Sequence, residues 1–155
     1  MNDFILARAI HVLSVVMWIG GVAFVTTVAM PAVRRTSAPE ERLEAFQRFE
    51  ARFAPQARAW VVLAGASGLW MIWRADMWGR FQDGQDWWMH AMVCLWALFA
   101  LMLFVVEPFF LHRRMEAAAD PARVFSRMEW MHRVLLTLSL LTVAAAVAGS
   151  HGWSF

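Results

Sequence analysis

Residues 9–33 read AIHVLSVVMWIGGVAFVTTVAMPAV and contain no Asp, Glu, Lys or Arg. As an α-helix rising ~1.5 Å per residue, this stretch would be ~37 Å long, which exceeds the ~30 Å hydrocarbon core of a bilayer. It follows an acidic residue, Asp3, and is too long for the apolar region of a secretory signal peptide. The stretch therefore predicts a retained membrane-spanning helix, span 1.

Three further apolar runs follow span 1, and together they predict one integral membrane domain over residues 1–155. The four spans cover approximately 9–33, 57–74, 87–108 and 130–150. The second is short and needs flanking arginines that extend their head groups toward water. Because the connections are short, neighbouring helices must be antiparallel. The predicted fold is all-α: a transmembrane up-down four-helix bundle with a short amphipathic cytoplasmic helix between helices 1 and 2.

That amphipathic helix is predicted from the segment between spans 1 and 2. Ser37-Ala38-Pro39-Glu40 resembles a capping box with proline in the first turn. The helix that it would open places four apolar side chains on one stripe: Leu43, Phe46, Phe49 and Phe53. Asp120-Pro121 predicts a similar helix start before span 4, and Pro108 predicts a bend near the inner end of span 3.

The composition supports a membrane protein and excludes several other classes. The chain is 61% hydrophobic and 17% charged, against about 25% charged residues in typical soluble domains. Such a composition excludes disorder, and Cys94, the single cysteine, excludes a disulfide scaffold and covalent Cys-x-x-Cys-His haem attachment. All basic residues are arginines that mostly flank apolar runs, so no nucleic-acid partner is expected.

The distribution of arginines predicts the orientation. Eleven of them lie in the connections between spans 1 and 2 and between spans 3 and 4: Arg34, Arg35, Arg42, Arg48, Arg52, Arg58, Arg113, Arg114, Arg123, Arg127 and Arg133. The positive-inside rule then places both termini outside, in the periplasm, for a multi-pass protein of the bacterial inner membrane. Tryptophans cluster at the predicted outer ends: Trp70, Trp73, Trp78, Trp87, Trp88 and Trp153.

Three histidines, His11, His90 and His151, are predicted to share one layer roughly 10–15 Å outward of the bilayer centre. His11 and His90 belong to helices 1 and 3, which are diagonal neighbours in an up-down bundle. Two imidazoles facing each other at equal depth suit the axial positions of b haem. His11 and His90 are therefore the preferred ligands, and the role of His151 stays open.

A haem ring also needs space, and small residues are frequent on the two flanking helices. Span 2 contains Gly65 and Gly68, and span 4 contains Ala144–Ala146, Ala148 and Gly149. The predicted inner stripes are also mostly small or flat: His11, Ser14, Trp18 and Gly21 on helix 1, and His90, Cys94 and Ala97 on helix 3. Close helix packing without a cofactor explains small residues equally well.

Other polar groups carry alternative predictions. Glu107 borders span 3 and is a candidate proton-relay or quinone-site group, or the salt-bridge partner of an arginine at the same level: Arg34, Arg35 or Arg133. His112 and His132 are expected to form interfacial hydrogen bonds, although either could serve a second haem. Copper(I) is the alternative metal, because methionines lie near the histidine layer: Met17, Met89 and Met92.

Several segments resemble a known family. Ala9-Ile10-His11-Val12-Leu13 with Trp18-Ile19-Gly20-Gly21 and Pro31 resembles the first helix of the copper resistance protein D (CopD)-like superfamily, which includes the HemJ-type protoporphyrinogen oxidases. Trp88-Met89-His90-Ala91-Met92 resembles the Trp-Leu-His-x-Lys segment of HemJ-type proteins, and Gly65 to Leu69 resembles their Gly-Leu pattern. The resemblance implies a helical membrane protein with b haem or a copper-handling role, and it matches His11 and His90.

The chain departs from the HemJ pattern at Met92, which stands where that branch has lysine. Protoporphyrinogen oxidation is therefore disfavoured. The leading hypothesis is a cytochrome b-like haem protein, a haem-dependent membrane oxidoreductase that transfers electrons between a membrane quinol and an outer acceptor. The alternatives are a CopD-type copper-binding or copper-transport protein and an accessory subunit without cofactor. Such a subunit would work in a homo-oligomer or a larger respiratory complex.

Overall fold

The computed structural model describes residues 2–111 and 120–152, with side chains for 2–107 and 120–152. Every regular element in these ranges is helical, which confirms the all-α prediction. We number the four long helices in chain order. The helix α1 comprises Asn2–Phe24, a π-helical turn Val25–Ala29 and Met30–Thr36. The helix α2 is Arg42–Arg74, and α3 is Trp87–Leu101, which continues as the π-helical segment Met102–Leu111. The helix α4 is Pro121–Ser150. Short 3₁₀ turns, Met77–Gln82 and Gly84–Asp86, join α2 to α3.

Within the described ranges, three helical segments are long and apolar enough to cross a membrane. They are Asn2–Thr36, Gly84–Glu107 and Pro121–Ser150. Many large apolar side chains on their surfaces are exposed, as in Leu13 (62%) and Leu141 (63%), which is the arrangement expected of helices facing lipid. These features indicate a helical membrane protein.

The helix α2 runs antiparallel to α1 along most of its length. Near the N-terminus of α1, Asp3 accepts a 2.8 Å hydrogen bond from Arg74 Nε at the C-terminus of α2. Farther along, the Phe53 ring packs directly over Gly21. We call the end of the bundle that holds Arg34, Arg58 and Arg133 the basic end, and the end that holds Asp3 and Arg74 the opposite end.

The amphipathic segment does not form a separate helix, so that prediction is wrong. It is continuous with span 2 in α2, which contains Pro55 in its interior. The predicted capping box is also absent: Ser37 ends α1 by donating its N–H to the Val33 carbonyl, and Glu41 precedes α2 without a side-chain cap. The buried stripe Leu43, Phe46, Ala54 and Ala57 continues through the segment, and this packing keeps one helix intact.

Prolines coincide with both π-helical turns. Proline lacks an N–H and its ring clashes with the carbonyl four residues earlier, so a wider turn relieves the clash. The π-helical turn Val25–Ala29 directly precedes Met30-Pro31, and Met102–Leu111 contains Pro108. At the start of α4 the prediction is confirmed: the Asp120 carboxylate accepts the Arg123 N–H at 3.0 Å.

The buried side chains form two clusters. The central cluster joins all four helices around Trp18 and Phe99, whose rings meet edge to face at 4.9 Å; it also contains Ile19, Val22, Val61, Ala64, Leu95, Leu135 and Leu136. The second cluster lies toward the basic end and contains Val25, Met30, Leu43, Phe46, Phe125 and Met128. The polar groups of the candidate site lie around these two clusters.

Candidate functional site

His11 is held by α2 through its Nδ1 atom. That nitrogen lies 2.9 Å from the Ala64 carbonyl oxygen and 3.3 Å from Ser67 Oγ. A carbonyl oxygen only accepts hydrogen bonds, so Nδ1 carries the proton and Nε2 keeps its lone pair. Gly68 gives the ring room, because a Cβ there would lie 3.1 Å from His11 Cε1. The half-buried imidazole is thus oriented with a nitrogen that can coordinate a metal.

The stripe of α1 below His11 faces the interior as the sequence predicted. Ser14 is 1% exposed, and its hydroxyl donates to the Ile10 carbonyl at 2.7 Å. Trp18 is 5% exposed and packs against Phe99. Ser14, however, uses its only proton within its own helix, which leaves its oxygen as an acceptor.

The predicted inner stripe of helix 3 is wrong. His90, Cys94 and Ala97 are all exposed, and the buried face of α3 carries Trp88, Leu95 and Phe99 instead. Two residues of α-helix turn the side-chain direction by roughly 200°, so burial of Trp88 directs His90 away from the core. Burying an indole removes far more apolar area from water or headgroups than burying an imidazole. His90 packs against the Phe81 ring at 5.3 Å.

Tryptophans occupy the space that small residues provide on the flanking helices. A Cβ at Gly65 would lie 2.6 Å from the Trp96 indole, whose Nε1 donates to the Val61 carbonyl at 2.9 Å. A Cβ at Gly149 would collide with the Trp88 indole. These glycines therefore serve close packing, the alternative that the sequence left open. His11 fits a haem ligand, but a ring between His11 and His90 inside the packed bundle does not fit.

His151 ends α4 and is exposed. Its Nδ1 lies 2.8 Å from the Val147 carbonyl, so its Nε2 is also left with a lone pair. Within residues 2–111 and 120–152, no three His, Cys, Asp or Glu side chains come together as a metal site. The copper alternative, which would use His11, His90 and perhaps His151 with a nearby methionine, stays a prediction.

Glu107 forms a salt bridge, but with a different arginine from those expected. Arg58 Nη2 donates to Glu107 Oε1 at 2.9 Å, and Arg58 Nε donates to the Leu103 carbonyl at 3.0 Å. Arg34 and Arg133 instead pair with Glu129, a 3% exposed carboxylate on α4 that the sequence analysis missed. Its spacing of four residues before Arg133 was the available sequence indication.

A cavity of about 70 Å³ lies among the helices in the half of the bundle nearer the basic end. Its lining includes three residues with polar atoms, Trp18, Glu50 and His132, and is otherwise mostly aromatic and aliphatic. Glu50 was not among the predicted site residues, although it is an acidic residue between Phe49 and Phe53 of the apolar stripe. The pKa of Glu50 is raised to about 7. Burial raises it most, the negative charge of Glu107 raises it further, and the positive charge of Arg58 lowers it.

Four residues named in the predictions lie outside the described residues: His112, Arg113, Arg114 and Trp153. The observations so far define a class only: a helical membrane protein with polar groups at two depths. Comparisons with protein-family models, with curated proteins and with solved structures find no match. The resemblance to CopD-like and HemJ-type proteins stays a prediction.

Proposed function

We propose that the chain is a four-span membrane protein that binds b haem, with His11 as an axial ligand. The observation that carries this proposal is the hydrogen bond from His11 Nδ1 to the Ala64 carbonyl, at 2.9 Å. Histidines that ligate metals typically donate the other ring N–H to such an acceptor, which fixes the tautomer and increases the basicity of the coordinating nitrogen.

The four-span arrangement is supported by the two ion pairs that bracket the apolar part of α2, residues 59–73. At one end Arg58 pairs with Glu107, near the basic end of α3. At the other end Arg74 pairs with Asp3, at the start of α1. The apolar part of α2 therefore lies at the same depth as α1 and α3. At ~1.5 Å per residue it is about 22 Å long, and both arginines can extend to the interfaces.

His90 or His151, which are both exposed near the opposite end of the bundle, would hold the haem together with His11. Bound haem would supply one-electron transfer, here between a quinol in the bilayer and an acceptor at the opposite end. The chain itself contributes the orientation of His11 by Ala64 and Ser67, and the close approach that Gly68 permits. The Trp96 and Trp88 indoles occupy the space beside Gly65 and Gly149, so these two glycines would not hold the ring.

The test is an absorption spectrum of protein purified from haem-replete cells. We expect a Soret band that shifts on reduction with dithionite, and iron in amounts equal to the protein. The His11→Ala variant should lose the low-spin spectrum. His90→Ala and His151→Ala identify the second ligand, because only the ligand variant should convert the spectrum. His112→Ala, which by sequence lies near the inner end of span 3, is the matched control.

Three results would contradict the proposal. A colourless preparation that also binds no haem on reconstitution would contradict haem binding and would favour the hypothesis of an accessory subunit. A haem spectrum unchanged in His11→Ala would remove His11 from the ligand set. Copper in place of iron would favour the copper-binding alternative.

A further inference from the structure

The cavity near the basic end is large enough for a small cluster of water molecules. A buried water needs roughly 10–15 Å³ of such volume and two to four polar partners. The cavity measures about 70 Å³, and Trp18, Glu50 and His132 line it from α1, α2 and α4 respectively. Both conditions for hydration are therefore met by side chains from three helices.

The Trp18 indole provides the first polar partner. Its ring is 5% exposed, and Nε1 donates to no hydrogen-bond acceptor among the described residues. Buried N–H groups in proteins are nearly always paired with a protein atom or an ordered water. The central Trp96 differs, since its Nε1 donates to the Val61 carbonyl at 2.9 Å. A water in the adjoining cavity would give Trp18 the acceptor that Trp96 already has.

His132 and Glu50 provide the other two partners. His132 Nδ1 lies 2.9 Å from the Met128 carbonyl and so carries the proton, which leaves Nε2 as an acceptor. Glu50 faces the same cavity, while Arg58, the cation whose charge acts on it, directs its hydrogen bonds to Glu107 and Leu103. The cavity thus combines one donor, one acceptor and a carboxyl group that can be either.

We propose that this cavity binds a water cluster between Trp18 Nε1, His132 Nε2 and the Glu50 carboxyl group, through which Glu50 exchanges protons with solvent at the basic end. Each transfer moves one proton between the carboxyl group and a cavity water, and it needs no other reactant. The proposal does not depend on haem binding, because none of its residues belongs to the proposed haem site.

The electrostatic surroundings of Glu50 support a proton-exchange role. Burial raises its pKa to about 7, Glu107 on the continuation of α3 raises it, and Arg58 on its own helix lowers it. His132 is the titratable group that α4 contributes to the cavity. A carboxyl group whose pKa is near 7 both accepts and releases protons readily at neutral pH.

The hydration of the cavity is tested by NMR of the full chain in nanodiscs with ¹⁵N-labelled tryptophan. The Trp18 indole resonance is identified by its loss in Trp18→Phe. We expect it to show an exchange cross-peak with water, whereas the Trp96 resonance, whose N–H is bonded to Val61, should show none. A Trp18 resonance as protected as that of Trp96 would mean a dry cavity and would overturn the proposal.

The role of Glu50 is tested by infrared difference spectra recorded across neutral pH. We expect a carboxyl C=O band that titrates near pH 7 and is lost in Glu50→Gln but kept in Glu44→Gln, an exposed position on the same helix. Ala54→Leu should fill the cavity and remove the water exchange of Trp18, while Ala51→Leu, on the exposed face, should not. A band that survives in Glu50→Gln would contradict the assignment whether or not Ala54→Leu folds.

Discussion

At the scale of single residues, Glu129 is the side chain on which the basic end most depends. It is 3% exposed and accepts hydrogen bonds from Arg34 on α1 and Arg133 on α4. Removing one partner of a buried pair leaves the other charge poorly compensated, although water screens these partly exposed arginines. We expect Glu129→Ala to lower the free energy of unfolding by about 2 kcal/mol, or Tm by roughly 5 °C.

Thermal unfolding followed by tryptophan fluorescence in detergent checks this expectation. The matched control is Glu44→Ala, because Glu44 pairs with Arg48 on the surface of α2, where both side chains are mostly exposed. No measurable change in Tm is expected for that control. Equal losses of Tm in the two variants would show that Glu129 has no special structural role.

The raised pKa of Glu50 leads us to expect that the stability of the protein depends on pH. Its pKa is raised from 4.5 to about 7 in the folded protein, so the folded state binds this proton more tightly than the unfolded state. The resulting stabilisation is complete below pH 4.5 and is lost as pH rises through 7. Glu50→Gln should flatten this decline, which we expect to be about 2 kcal/mol.

The measurement is Tm of the wild type and of Glu50→Gln at several pH values between 4.5 and 8, with Glu44→Gln as the control. The difference between wild type and Glu50→Gln should grow with pH, in favour of the variant. A difference that does not vary with pH would place the pKa of Glu50 at its ordinary value.

For single residues, the sequence predicted correctly that His11 faces a neighbouring helix, but it did not predict that the His90 side chain is exposed. The orientation of His11 depends on the Ala64 carbonyl and the Ser67 hydroxyl of α2. The glycines at 65 and 68 indicated in the sequence that another helix could approach α2 closely there. Residues 87–106 are apolar on every side, so no hydrophobic stripe marks the buried face. Which face of α3 turns inward is decided by packing of Trp88 and Trp96 against Gly149 and Gly65, which only the folded arrangement reveals.

At the scale of helices, the contact between α2 and α3 depends on Gly65. A Cβ there would lie 2.6 Å from the Trp96 ring, which cannot move without breaking its hydrogen bond to the Val61 carbonyl. We expect Gly65→Ala to destabilise the protein by about 1–3 kcal/mol through overpacking. Gly20→Ala is the control, because nothing lies within 4 Å of its added Cβ.

Near-ultraviolet circular dichroism and thermal unfolding would measure this effect. In Gly65→Ala both the tryptophan band and Tm should change, whereas Gly20→Ala should keep both. If Gly65→Ala is as stable as the wild type, the indole is not held at this contact, and space for a larger group beside α2 would be available.

At the scale of the whole molecule, the number of spans determines on which side each terminus lies. Among the residues that the structure describes, three segments meet the usual length and composition for spans, and three spans would put the termini on opposite sides. In the four-span arrangement that we propose, the ion pairs Arg58–Glu107 and Arg74–Asp3 would keep α2 at the depth of its neighbours, and both termini would lie on one side. The four long helices were therefore predictable from the sequence, whereas the argument for the depth of α2 needs the ion pairs of the folded chain.

Cysteine labelling distinguishes the two arrangements, because Cys94 is the only cysteine to remove. In a Cys94→Ala background, Asn2→Cys and Ser150→Cys should both react with a membrane-impermeant maleimide in spheroplasts. Ala38→Cys, in the connection between α1 and α2, should react only after permeabilisation, since the arginines on either side favour the cytoplasm. Labelling at Asn2 but not at Ser150, or the reverse, would mean an odd number of spans, with α2 outside the hydrocarbon core.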